Sequence, residues 1–347
     1  MLIRFGGKNH LEKLSLEDIG YDLEIGRIVD EVRKLGARRI LIQMPDGLKH
    51  LAPYISKRLE KDLSGVEIAF SASPSWGACV LEDTEALEGG YDLLVHIGHI
   101  EYPFYRPRHR TIFIPAYSTI DIPTELIARA AEILAGRNVR KVAIFSTIQH
   151  ARQVKKVAEI LSQGFEVIIH SGGPFLVGCD YSKPYSIKSY VDGYVIISGG
   201  VFHALGLGLA IPGKPLVKID PYENKAVDMM PEVEKILRKR LYMIYRAMDA
   251  RTWVLIDGIK GQNRAWYRRY LKDLIEKRGG KAIEYIGYII NRETLLNIDN
   301  QEIDAYVILA CPRIPTDDLD DFHKPVLTPA EARMALTGAI QNYTLPW

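Results

Sequence analysis

The run RRILIQMPDG, residues 38–47, decides how this chain is read. A continuous apolar stretch between a basic pair and a Pro-Asp-Gly turn is the pattern of a strand buried on both faces. It has two counterparts, RKVAIFSTIQ at 140–149 and RTWVLIDGIKGQ at 251–262. A helix-period segment follows each, and then a second run: GVEIAFSAS from Gly65, GFEVIIHSGG from Gly164 and GKAIEYIGY from Gly280. An aspartate heralds the third run, as Asp92 in YDLLVHIGH, Asp192 in VDGYVIISGG and Asp304 in IDAYVILACP. The fourth is TIFIPAY from Thr111, PLVKIDPY from Pro215 and PVLTPAE from Pro325.

The matched aspartates lie 100 and 112 residues apart, a period that points to triplication of one unit and not to a solenoid of short repeats. The expected fold is therefore α/β: three similar α/β domains from a triplicated unit, mainly parallel sheets, in a pseudo-threefold arrangement. Helical connectors at 118–138 and 222–249 divide the chain into domains 1–120, with an N-terminal helix, 121–225 and 226–347. Neither connector is Gly/Ser-rich, so tight packing is expected. Right-handed crossovers place the loops that follow the strands at one edge of each sheet, where α/β folds bind ligands.

At 347 residues, with 47% apolar and 25% charged residues, the chain reads as an ordinary globular protein of more than one core. A formal charge of +2 argues against a dedicated nucleic-acid or membrane-surface binder. The opening MLIRFGGKNHLEKLSLEDIGYDLE carries charge from residue 4 onward and has no apolar core of a secretory signal. No uninterrupted apolar run reaches about eighteen residues, the length of a membrane span. A cytoplasmic protein with reduced thiols is expected, and an odd set of three cysteines there serves as core filler, metal ligands or catalytic groups.

Cys79 and Cys179 follow the second runs of the first two units at nearly the same offset, and Cys311 ends the third run of the third unit in YVILACPR. One thiol per unit just beyond a strand end is the pattern of shared ligation, set against three unrelated small buried hydrophobes. Three thiolates suit a zinc with one open position, or an iron–sulfur cluster with one iron open to substrate.

Here the sequence resembles the archaeal diphthamide synthase family. The resemblance is carried in order by LIQMPDGLKH (41–50), WGACVLED (76–83), STIQHARQV (146–154), VGCD (177–180), SGGVFHALGLGL (198–209), KIDPY (218–222) and ACPRIPTDD with KPVLTPAEA (310–332). It implies a homodimer of three-domain protomers, each with one [4Fe–4S] cluster held by Cys79, Cys179 and Cys311. Many relatives have a second cysteine after GAC, where this chain has Val80. It further implies that an electron donor reduces the cluster and that S-adenosylmethionine bound there yields a 3-amino-3-carboxypropyl radical and methylthioadenosine. The radical is expected to add to C2 of a histidine imidazole on elongation factor 2, the first step of diphthamide formation. Two rivals stand beside this reading: a quinolinate-synthase-like dehydratase or condensing enzyme using a cluster as Lewis acid, and a non-catalytic small-molecule-binding protein with buried thiols.

Several residues near the strand ends are candidates for cofactor contacts. Asp46, followed by Gly47, either binds a cationic or hydroxyl-bearing part of the substrate or caps a helix. The pairs Gly172–Gly173 and Gly199–Gly200 either admit a carboxylate or ribose to backbone amides or form tight turns. His203 either lies beside the methionine group or finishes a turn. Asp257, Gly258, Gly261 and Gln262 are candidate adenosine contacts by position. GLGLAI from Gly206 lacks the third glycine and strand context of a dinucleotide fingerprint. In the basic, aromatic stretch 263–278, Trp266, Tyr270, Leu271 and Ile275 are expected to form a core face, the alternative being a docking surface for the protein substrate.

Overall fold

The computed structural model describes residues 19–341 and 343–346. They form two compact units, one running to Asp121 and taking in Ile148–Arg152, the other comprising Ile122–Thr147 and residues from Gln153 onward.

The first unit contains β1 (Tyr21–Asp22), α1 (Ile25–Leu35), β2 (Arg39–Gln43), α2 (Ala52–Asp62), β3 (Glu67–Phe70), α3 (Asp83–Glu88), β4 (Leu93–Ile97), β5 (Thr111–Ile114) and β6 (Tyr117–Ser118). Strands in the order β3-β2-β4-β5 form a parallel sheet, and β1 pairs antiparallel with β6. Ile40, Ile42, Leu93 and Val95 are fully buried in its core together with Ile28 of α1 and Ile55 of α2. Arg152 closes this unit by pairing with Asp22 at 2.8 Å and lying 3.8 Å over the Tyr117 ring.

The second unit holds α4 (Thr124–Gly136), β7 (Lys141–Ser146), α5 (Val154–Leu161), β8 (Glu166–Ile168), α6 (Ser182–Ser186), β9 (Gly193–Ile197), α7 (Phe202–Ala210), β10 (Leu216–Asp220) and β11 (Lys225–Asp228). It continues through α8 (Met230–Ala247), β12 (Thr252–Asp257), α9 (Ala265–Lys277), β13 (Lys281–Ile286), α10 (Arg292–Ile298), β14 (Ala305–Ile308), β15 (Val326–Leu327) and α11 (Pro329–Thr337). Two sheets result, in the orders β8-β7-β9-β10-β11 and β13-β12-β14-β15, parallel throughout except for β11. One apolar core runs through both, joining Phe145 and Tyr194 to Trp253, Leu255 and the Ile244 face of α8, which is why they form a single compact unit.

All three sheets therefore share one strand order, in which the first run lies between the second and the third, and the fourth lies beyond the third. The heralding aspartates explain how each is started. Asp92 Oδ2 accepts from the backbone amides of Arg38 and Arg39 at 2.7 and 2.9 Å. Asp192 does the same for Arg140 and Lys141 at 3.0 and 2.8 Å, and Asp304 for Arg251 and Thr252 at 2.8 and 2.8 Å. A carboxylate on two consecutive amides is a charge-assisted cap; these backbone bonds hold the Asp92 and Asp192 carboxyls below their ordinary range. The mainly parallel α/β architecture is as the sequence predicts.

One expectation is corrected in α9. The buried residues are Tyr267, Leu271 and Ile275, spaced i, i+4, i+8, while Trp266 is 62% exposed and Tyr270 39% exposed. The core-facing stripe thus includes Tyr267, and the two flanking aromatics face outward.

Candidate functional site

Each thiol sits on a loop leaving the C-terminal edge of a parallel sheet, and none is in a disulfide. In the first unit the loop from β3 to α3 carries Cys79 in a turn closed by Val80 N donating to Gly77 O at 3.2 Å. The loop is held at both ends. Lys49 Nζ donates to the carbonyls of Ala72 and Ser73 at 2.9 and 2.6 Å while pairing with Asp46 at 2.6 Å. Gln43, at the end of β2, donates through Nε2 to Val80 O at 3.1 Å and accepts from Glu82 N at 3.3 Å.

In the second unit the Cys179 and Cys311 loops meet around Tyr181 and the N-terminus of α7. A Cβ on Gly178 would lie 2.5 Å from Phe202 Cε1 and 3.1 Å from His203 Nε2, so the residue before Cys179 packs under that helix end. From the other side, the Arg313 guanidinium, two residues after Cys311, lies 5.5 Å over the Phe202 ring. Tyr181 is buried and donates its hydroxyl to Gly178 O at 2.8 Å. Burial, and then the neighbouring Cys179, Cys311 and Asp180 groups, push its phenol well above the ordinary value. Tyr181 therefore stays a hydrogen-bond donor beside both thiols. A cleft between the loops is lined by Tyr181, Phe202, Leu205, Pro312, Thr316 and Leu345.

The glycines of GLGL are explained by contacts instead of nucleotide binding. A Cβ at Gly206 would stand 1.8 Å from the Tyr181 hydroxyl oxygen, and one at Gly208 would stand 2.3 Å from Val233 Cγ2 of α8. Gly206→Ala is accordingly expected to destabilise the second unit by about 3 kcal/mol, because neither partner has room to yield. The measurement is the urea midpoint of Gly206→Ala with and without Tyr181→Phe. The second change removes the nearest clashing atom, so it should restore part of the loss; equal losses in both variants would show that this contact is not the cause.

The remaining candidates fall into place individually. Asp46 lies in the first turn of a short 3₁₀ segment whose cap position is Pro45, so it is no helix cap; it is exposed and paired with Lys49. Gly47 has open space around it. Gly172 N donates to His170 Nδ1 at 3.0 Å and Gly173, at φ +89°, donates to His170 O at 2.9 Å, which makes the pair a tight turn. Gly199 packs against the Tyr222 ring. Gly200 is engaged through N with Asp220 at 3.1 Å and through O with Lys218 at 2.9 Å, around the buried Lys218–Asp220 pair. His203 occupies the first turn of α7 in a T-shaped contact with Phe202. Asp257 is fully buried, its Oδ1 accepting from Gly258 N and Arg264 N and its Oδ2 from Arg268. Gly258 and Gly261 shape that same loop, Gly258 being too close to Gln262 and Ala310 for a side chain and Gly261 O accepting from Arg264 at 2.7 Å; Gln262 is buried within it.

Lys49, Gln43, Tyr181 and Phe202 were not singled out from sequence. The signal for Tyr181 is its place two residues after Cys179; Gln43 and Lys49 flank the Pro-Asp-Gly turn and Phe202 precedes His203, positions that carry no chemical pattern of their own. Among the described residues, no three or more His, Cys, Asp or Glu side chains are gathered as a cage for a single metal ion.

The diphthamide synthesis protein family matches residues 44–345. The chain belongs to this family. It is 35% identical, over 91% of its own length and 91% of the relative's, to the 2-(3-amino-3-carboxypropyl)histidine synthase of Pyrococcus horikoshii. It is 26% identical to the human 2-(3-amino-3-carboxypropyl)histidine synthase subunit 1, over 91% of this chain and 72% of that one. The crystal structure of Dph2 from Pyrococcus horikoshii with a 4Fe-4S cluster superposes with a TM-score of 0.81 at 34% identity, covering 93% of each chain. The resemblance read from the sequence motifs is borne out, the family is one of transferases in diphthamide biosynthesis, and the quinolinate-synthase-like alternative is set aside.

Proposed function

We propose that this chain transfers the 3-amino-3-carboxypropyl group of S-adenosylmethionine to C2 of a histidine imidazole of elongation factor 2, releasing methylthioadenosine, by a [4Fe–4S]-dependent radical route. The observation that carries the reading is the placement of Cys179 and Cys311 on two loops that share Tyr181 and the start of α7, in a chain of this family. Cys79 on the equivalent edge of the first unit is the third proposed ligand. The donor set fits the group: three reduced, half-exposed thiols on strand-end loops are soft ligands of the kind iron–sulfur clusters take. Bound by three thiols, such a cluster supplies an electron and one iron open to a substrate.

The chain's own residues bind and orient. Tyr181, fixed between Gly178 O and Gly206, holds the Cys179 loop, and Arg313 over Phe202 draws the Cys311 loop to the same helix end. The cleft between the two loops is lined mainly by apolar side chains, and an apolar wall of that kind favours a reactive species adding to its target over being quenched. We propose further that the three sheets descend from one triplicated unit in a pseudo-threefold arrangement, with domains 1–120, 121–225 and 226–347. In this reading the working form is a cytoplasmic homodimer served by a separate electron donor.

The test is anaerobic reconstitution with iron and sulfide, reduction by dithionite, and incubation with S-adenosylmethionine and elongation factor 2. Methylthioadenosine together with a 3-amino-3-carboxypropyl mass increment on one histidine is the expected result. Fully loaded, reduced protein that yields neither would overturn it.

A further inference from the structure

The loop bearing Cys79 ends on a buried chain of side chains that the reaction itself does not call for. Gln43 Nε2 meets Val80 O at 3.1 Å, Gln43 Oε1 meets both Glu82 N at 3.3 Å and His96 Nδ1 at 2.9 Å, and His96 Nε2 meets His99 Nδ1 at 3.0 Å. Gln43 and His96 are fully buried, and the two imidazoles stack with centroids 5.2 Å apart.

Hydrogen-bond accounting orients the Gln43 amide and sets the His96 Nδ1 proton, and the neutrality of the two rings sets the rest. A backbone carbonyl only accepts and a backbone amide only donates, so Val80 and Glu82 together forbid a flip of the Gln43 amide. Its oxygen then requires His96 Nδ1 to carry a proton. Burial, followed by the His99 ring, holds the His96 pKa well below its ordinary value, and burial lowers that of His99 to about 4. Both rings are neutral at physiological pH, so His96 Nε2 is an acceptor and His99 Nδ1 must donate to it. Both histidines are thereby held as the Nδ1–H tautomer, the less common one for free imidazole.

We propose that Gln43 is the positioning residue for Cys79, its amide locked by His96 and His96 in turn by His99, so that the thiol is held in place before it acts as a ligand. Its bearing on iron rests on the function proposed above; the geometry does not. The reason for such a device is local. The loop between Ser73 and Val80 contains no regular element, and a thiol on an unrestrained loop would have to be ordered at the moment of ligation.

The test uses the whole, cluster-free chain, so that failure to bind iron cannot be confused with failure of this proposal. Alkylation rates of the three thiols are read by peptide mass spectrometry. Gln43→Leu is expected to raise the Cys79 rate about tenfold, the order of the net worth of the two buried hydrogen bonds it removes from the loop, with Cys179 and Cys311 unchanged as internal controls. His96→Leu should do the same. His96→Asn, whose amide stands in for Nδ1–H, should restore the slow rate. A Cys79 rate within about twofold of wild type in Gln43→Leu would overturn the proposal. If Gln43→Leu opens all three thiols alike, the decision passes to the ring ¹⁵N spectrum of the wild-type protein. There an Nδ1–H signature for His96 supports the lock and an Nε2–H signature refutes it.

Discussion

Replacing Arg240 by methionine is expected to cost about 3–5 kcal/mol, because it strands a fully buried carboxylate. Arg240 and Glu331 are 1% and 0% exposed and form a two-pronged pair at 2.8 and 2.5 Å. Glu331 has two further donors, Thr328 N at 2.8 Å and the Tyr343 hydroxyl at 2.7 Å. Burial and then the Glu331 charge hold the Tyr343 phenol well above its ordinary value, so it remains a donor. Arg240 also donates to the carbonyls of Pro315 and Val326, each at 2.7 Å. Methionine would fill the space and satisfy none of these acceptors. Since Pro315 lies four residues after Cys311, the loop bearing that thiol should lose its anchor as the unit weakens. Urea denaturation, with iron content after reconstitution measured on the same samples, checks both effects. Arg240→Met combined with Glu331→Leu should recover the part of the loss that the orphaned charge causes and no more, because the carbonyls of Pro315 and Val326, Thr328 N and the Tyr343 hydroxyl lose these partners. A single variant within about 1 kcal/mol of wild type would show that the pair is not what holds α8 to α11.

Arg240 also marks where sequence reading stops. In EVEKILRKRLYM, residues 232–243, it sits among charges and reads as part of a solvated helix face, yet it is one of the most deeply buried large side chains. Its partner lies 91 residues away, and no local pattern announces it. The strands were legible for the opposite reason. Burial on both faces makes each a continuous apolar run, and the heralding aspartates mark a cap that recurs at every sheet. Three thiols at strand ends were legible because strand ends are where a parallel sheet exposes its loops. What binds those loops was not. Tyr181 on Gly206 and Gln43 on His96 join residues 25 and 53 positions apart by shape and hydrogen bonding, which leave no periodicity. In α9 Leu271 and Ile275 lie in the core as the sequence predicts, while Trp266 and Tyr270 do not, since aromatic residues at 266, 267 and 270 satisfy two neighbouring stripes equally well.

The opposite signature is expected at the thiols. Cys179→Ala and Cys311→Ala should each abolish the charge-transfer absorbance of the reconstituted protein and reduce methylthioadenosine formation below detection. Stability should change by no more than about 1 kcal/mol, since both side chains are half-buried on loops and neither is in a disulfide. Alanine removes the soft donor outright, while serine offers a hard oxygen in nearly the same place, so Cys179→Ser separates the loss of a ligand from the loss of volume. Iron and sulfide analysis alongside the urea midpoint distinguishes the two kinds of lesion. Arg240→Met should lose stability first and iron as a consequence, whereas the thiol variants should lose iron with the fold intact. A full four-iron spectrum in Cys179→Ala would remove that residue from the ligand set. Tyr181 would then need another reason for standing beside two thiols, one of packing alone.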